Sequence, residues 1–159
     1  MLSHSEAIYG KNQVWLYCSP LPLPLSYLAL HCWFVLADQE NNISRWEVWQ
    51  EPQKCKNSWG YLHQNLFPPY QGINRIPACS FWKWPAKLLV CFDQSMATTL
   101  IKTIELSPET YPYQFQYSAY PGPNSNTYIQ WVLNQLVDTK IKLPTAAIGK
   151  NWIIPKKRC

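Results

Sequence analysis

No run of this sequence reaches the about 18 uninterrupted apolar residues that a transmembrane helix requires, so no membrane-spanning segment is expected. The longest apolar stretch, Tyr27 to Ala37, carries His31 and reads as a strand. The opening Met-Leu-Ser-His-Ser-Glu makes no basic n-region, and Pro20, Pro22 and Pro24 break the first apolar run, so no secretory signal is read there. The six cysteines, at positions 18, 32, 55, 79, 91 and 159, include no C-x-x-C pair and no regular framework. That argues for free thiols and a reduced, cytoplasmic setting. Cys32 and Cys91 lie in apolar runs, where a free cysteine behaves as a small hydrophobe. A zinc ion would have to recruit Cys55, His63, Cys79 and Cys91 at spacings unlike those of closed sites, so neither a metal nor another cofactor is expected. No internal repeat is present. The formal charge of +5 comes with no DNA- or RNA-binding motif. The cations Lys150, Lys156, Lys157 and Arg158 read as a solvated end, and no nucleic-acid partner is expected.

What the chain does have is aromatic and aliphatic mass. Its 159 residues are 47% hydrophobic, with nine Trp and ten Tyr. That suits one domain with a proper core and excludes wholesale disorder. Aromatics at this density build either a heavy core or stacking surfaces. Residues 1–26 read as an N-terminal extension, because "SPLPLPLS" favours extended polyproline geometry. A single domain is expected over 27–154 and a basic tail over 155–159. Within the domain, "YLALHCWFVLAD" and "SRWEVWQ" flank the turn "QENN" and read as a β-hairpin. Residues 51–86 are punctuated by prolines and read as irregular. "KLLVCF" is a short strand. Asp93 or Ser95 caps a helix with Met96, Leu100, Ile101 and Ile104 on one face, bounded by Pro108. "YPYQFQYSAY" alternates like a strand, and a last helix runs to about Val137. The fold class is α+β: a mostly antiparallel sheet with two packed helices.

One stretch, "YPGPNSNTYIQW" at residues 120–131, concentrates the chemistry. Asn124 is the natural N-cap of the helix that follows. The apolar stripe Ile129, Val132, Leu133 and Leu136, counted back four residues, places Ser125 on the inward face of the first turn. Free backbone N–H groups and the positive helix end suit an oxyanion there, with Asn124 and Asn126 in positioning roles. Capping is nonetheless the ordinary role of Ser and Asn at such a place. A hydroxyl nucleophile needs a base, and His31 alone of the histidines sits inside a strand. Matching the apolar faces of the hairpin puts His31 and Glu47 on one side, where the carboxylate would orient the imidazole. A lone strand histidine more often serves as a core residue bonded to backbone.

"ALHCWFVL", "RWEVWQ", "YPYQFQYSAYPGPNSNTYIQWVLNQL" and "LPTAAIGKNW" together resemble the bacterial family called domain of unknown function 3750. The likeness spans about residues 27–154. That family's pattern often has Asp after Gly149-Lys150, where this chain has Asn151. More weakly, the order His31 then Asn124-Ser125 resembles circularly permuted papain-like proteins. These include relatives of the NlpC-type peptidases and lecithin–retinol acyltransferase, which place a cysteine where Ser125 stands. That likeness implies a permuted papain-like architecture and a hydrolase or acyltransferase acting on amide or ester bonds. Ser125 would be its nucleophile, His31 its base and Glu47 the orienting carboxylate. The rival expectation is a non-catalytic module that binds a peptide, glycan or other small ligand in a cleft lined by aromatics, drawn from Trp33, Trp46, Trp49, Trp59, Trp82 and Trp84. For most of those tryptophans, core packing is the plainer role.

Overall fold

The computed structural model describes residues 11–137 and 141–152. The fold is α+β, a six-stranded antiparallel sheet carrying two helices. In chain order the strands are β1 (Gln13–Pro20), β2 (Leu30–Ala37), β3 (Ile43–Val48), β4 (Ser58–Trp59), β5 (Leu62–Gln64) and β6 (Lys87–Cys91). The helices α1 (Gln94–Thr110) and α2 (Ser125–Leu133) follow. The spatial order is β4-β5-β3-β2-β1-β6.

The expected hairpin is present. β2 and β3 pair antiparallel, with Phe34 opposite Trp46 and Ala37 opposite Ile43. Alternation sorts their side chains as the apolar pattern requires. Cys32, Phe34, Leu36, Trp46 and Val48 face the helices and join Leu100, Ile104, Ile129 and Val132 in the main core. Trp33, Val35 and Ala37 face the other way and pack with Trp15 and Tyr17 in a second, smaller core.

The boundary at residue 27 needs correction. Residues 13–20 form β1, paired on one side with β2 and on the other with β6. All but its two end residues are buried. The proline-leucine segment is therefore a loop between two interior strands, and it includes a 3-10 turn at Leu25–Tyr27. "QVWLYCS" reads as a strand by composition; its nearness to the prolines hid it. Two further expectations fail. Residues 51–86 contain β4 and β5, and His63 lies on β5 beside β3. Residues 111–120 form turns rather than a strand. There the aromatics alternate because they stack on other rings: Tyr61 on Tyr117, and Tyr111 against Tyr128 and Trp131.

Pro108 does not end α1, which continues to Thr110. A proline inside a helix removes the N–H that would bond the carbonyl four residues back, here that of Ile104. The Ser107 hydroxyl takes over, donating to Ile104 O at 2.6 Å, and it also meets the Tyr128 hydroxyl at 3.0 Å. One side chain thus repairs the helix and ties it to α2. Ser107→Ala should cost about 1–3 kcal/mol, because it leaves a buried carbonyl and a buried phenol unpaired. Urea unfolding measures this, and a cost indistinguishable from zero would refute the repair.

Candidate functional site

The first turn of α2 is built from Asn124, Ser125, Asn126 and Thr127, all buried. Asn124 is the N-cap: its Oδ1 accepts from the backbone N–H groups of Asn126 (3.0 Å) and Thr127 (3.3 Å). The Thr127 hydroxyl accepts from the Asn124 N–H at 3.0 Å, which closes a capping box. The same hydroxyl donates to Gly149 O at 2.8 Å. The Asn126 amide group donates to both Leu30 O (2.8 Å) and Ile148 O (2.9 Å). Its target on β2 follows from the sheet. β3 pairs with β2 only from Phe34 to Ala37. Beyond that point the Leu30 N–H turns to Ala146 O at 3.0 Å, and the Leu30 carbonyl turns to Asn126.

Glycines let these pieces approach. Gly149 has φ +95°, and a Cβ there would overlap the Asn124 side chain. Gly122 has φ +135° and packs on Thr127 and Trp152. The segments 120–127 and 145–152 are thus one interlocked unit, and a cleft of about 460 Å³ opens beside it. Tyr120 and Pro121 line one side; Ile148, Lys150 and Trp152 are among the residues on the other. Tyr120 is 77% exposed. The Trp152 indole N–H is buried without an acceptor among the described residues. The Lys150 ammonium donates to the carbonyls of Leu143 and Pro144, leaving one of its three N–H donors.

His31 and Glu47 do meet, at 2.7 Å between Nε2 and Oε2. They lie on the second face of the sheet, inside a closed polar core that the sequence reading did not assemble. Arg45 pairs with Glu47: a terminal nitrogen donates to Oε2 at 2.7 Å, and Nε lies 2.6 Å from Oε1 as an ion contact without hydrogen-bond alignment. The other terminal nitrogen donates to Pro68 O and Gln71 O. The guanidinium also stacks 4.0 Å above the Trp33 ring. Trp49 sets its ring edge-on to His31. His63 stands opposite Glu47 and bonds the Ser58 hydroxyl and Glu51 O. Burial pushes the His63 pKa down, against the Glu51 carbonyl and the Glu47 charge, which raise it. Burial also works to raise the Glu47 pKa, but the Arg45 charge and the His31 hydrogen bond outweigh it and hold the carboxyl below its ordinary value.

The geometry does not unite the expected triad. The α2 helix packs on the main-core face, whereas His31 belongs to the opposite face with Trp33 and Trp49. No hydrogen bond joins His31 to Ser125, whose hydroxyl is unpaired among the described residues. The Asn126 backbone N–H, expected to serve an oxyanion, is already taken by Asn124. The expected tryptophans sort mostly into packing: Trp33 and Trp46 are buried, Trp59 stacks on Trp46, and Trp82 is exposed. Tyr120 and Trp152 were missed as cleft residues, although both lie inside quoted motifs. Among the described residues, no group of three or more His, Cys, Asp or Glu is placed to hold a metal. No described helix is long and apolar enough to cross a membrane.

A family model described as protein of unknown function, DUF3750, matches residues 11–152, and the chain belongs to that family. No curated protein and no solved structure matches it.

Two outcomes follow for the residues just placed. Asn126→Ala should lose about 2–4 kcal/mol, since two buried carbonyls lose their donor, while Ser125→Ala should cost less than about 1 kcal/mol. Urea titrations of the two variants side by side check the order, and a reversed order would sink it. Glu47→Gln should cost about 3 kcal/mol at neutral pH by leaving Arg45 buried without its charge partner. A carboxyl held low in the fold stabilises fully above its ordinary value of 4.5, and that contribution fades as pH falls through the lowered value. Wild-type stability should therefore drop in acid more steeply than that of Glu47→Gln. Thermal melts across that range decide; parallel profiles would count against the pairing.

Proposed function

We propose that this member of the family is a non-catalytic binding module whose ligand seat is the cleft between Tyr120-Pro121 and residues 145–152. The observation that carries the reading is that both motif-bearing segments converge on one pocket and form its walls. Its volume of about 460 Å³ lies within the range of small-ligand sites. An exposed phenol ring and an indole offer flat apolar faces, as sugar rings and proline or aromatic side chains require. Lys150 adds a donor, so a ligand with an apolar face and an acceptor group fits. The end of a peptide or a glycan has that chemistry.

The hydrolase or acyltransferase reading has less support. It needs a base within reach of Ser125, and the imidazole of His31 is engaged with Glu47 on the other face of the sheet. A fluorophosphonate probe applied to wild type and Ser125→Ala distinguishes the two readings, with no Ser125-dependent labelling expected. The binding reading is tested by thermal-shift screening against short peptides and oligosaccharides. A hit should lose at least about tenfold in affinity in both Tyr120→Ala and Trp152→Ala, in line with aromatic anchors elsewhere. Hits indifferent to both substitutions, or labelling of Ser125, would overturn it.

A further inference from the structure

The loop from β1 to β2 and the hairpin before β6 come together at one end of the sheet. Leu23 N–H donates to Arg75 O at 2.8 Å, and the Trp84 indole donates to Leu21 O at 3.2 Å. Asn74 bridges Lys83 across the hairpin, whose tip spans residues 76–82. Seven of the thirteen large apolar side chains exposed among the described residues crowd onto these two tips. Leu23, Leu25, Tyr27 and Leu28 stand on the first tip; Ile76, Phe81 and Trp82 stand on the second. Tyr27 is 86% and Phe81 92% exposed. Clustered apolar exposure of this kind marks an interaction surface.

The charges nearby have one sign. Residues 19–37 and 66–92 contain no Asp or Glu, and their charged residues are Arg75, Lys83 and Lys87. The guanidinium of Arg75 is held over the Trp84 ring at 4.3 Å and near Trp82 at 5.2 Å, so the cation is fixed at the base of the apolar tip. Lys87 begins β6 opposite Cys18, at the same end of the sheet. The opposite end, where β1 starts and β2 stops, carries Asp38, Glu40 and Asp93 alongside Lys11. The sheet thus has a cationic, apolar-tipped end and a carboxylate-bearing one.

We propose that the tips at 23–28 and 76–82 dock on the surface of an anionic lipid bilayer, inserting Tyr27, Leu28, Phe81 and Trp82 among the headgroups while Arg75, Lys83 and Lys87 meet lipid phosphates. Two solvent-exposed apolar tips, tryptophan beside a fixed cation, and the lack of any carboxylate in residues 19–37 and 66–92 match an interfacial surface. A groove for a protein segment would instead be concave.

The full chain is tested by co-sedimentation with vesicles of phosphatidylcholine alone and with about one third phosphatidylserine. Wild type should pellet with the anionic vesicles, more weakly with neutral ones, and less as salt is raised. Tyr27→Ser combined with Phe81→Ser should weaken binding at least about tenfold, because two interfacial aromatic side chains are lost. Its melting temperature should not change, since both side chains lie in solvent. Ile43→Ser, at the carboxylate-bearing end, should bind as wild type does. The proposal is overturned if wild type stays in the supernatant with both vesicles or binds both equally. It also fails if Ile43→Ser loses as much binding, or if a self-associated wild type is made monomeric by the Tyr27, Phe81 double substitution, which would make a second copy the occupant.

Discussion

The side-chain amide of Asn126 is the contact on which the arrangement turns. It donates at once to a strand carbonyl, Leu30 O, and to a loop carbonyl, Ile148 O. β2 is longer than its partner β3, and a strand edge with unpaired carbonyls inside a protein is costly. The helix could pack its apolar stripe on the sheet at several rotations and offsets, since hydrophobic contact is non-directional. Two hydrogen bonds from one buried amide remove that freedom. They set where α2 begins, bring residues 146–149 against β2, and thereby place both walls of the cleft.

The two faces of the sheet are held by different physics. On the helix side, Phe34, Leu36, Trp46 and Val48 meet Leu100, Ile104, Ile129 and Val132 in a wholly apolar layer. On the other side Arg45 and Glu47 are fully buried, so taking both charges out of water must be offset by good geometry and extra hydrogen bonds. Those bonds go to Pro68 O and Gln71 O, and the Trp33 indole reaches Pro69 O. The proline-rich loop over this face has no ladder of its own. The guanidinium and the indole supply donors to Gln71 O and Pro69 O, and the guanidinium adds a second to Pro68 O, which also accepts from the Gln71 N–H. The ion pair therefore specifies one conformation for residues 65–71 more than it adds to net stability.

How far the sequence could be read depended on the range of each interaction. Parity along β2 and β3 put His31 beside Glu47, because a period of two is enough to assign faces. The cap Asn124 and the inward stripe of α2 were legible for the same local reason. Parity could not say that α2 lies across the sheet from His31, since that depends on which face each helix covers. Arg45 carries no sequence sign beyond its place on the strand two residues before Glu47. Its part in the polar core depends on the loop at 65–71, whose carbonyls carry no sequence signature. Pro108 misled because its cost is repaired by the residue before it. β1 is obscured because the prolines that follow it carry a strong irregular signal right up to its last residue.

The Leu30 end of β2 gathers the features that face outward. There the strand emerges from the apolar loop at 21–29, gives its N–H to Ala146 and its carbonyl to Asn126. The cleft wall and the apolar tips thus meet at the same residue, the wall through the Ala146 carbonyl and the Asn126 side-chain amide, the tips through the chain itself. Leu30 is the point where the 21–29 loop joins β2, which is paired in register with β1 from Gln13 to Pro20. The carboxylate-bearing end is separated from the cleft wall and the tips by the length of the sheet.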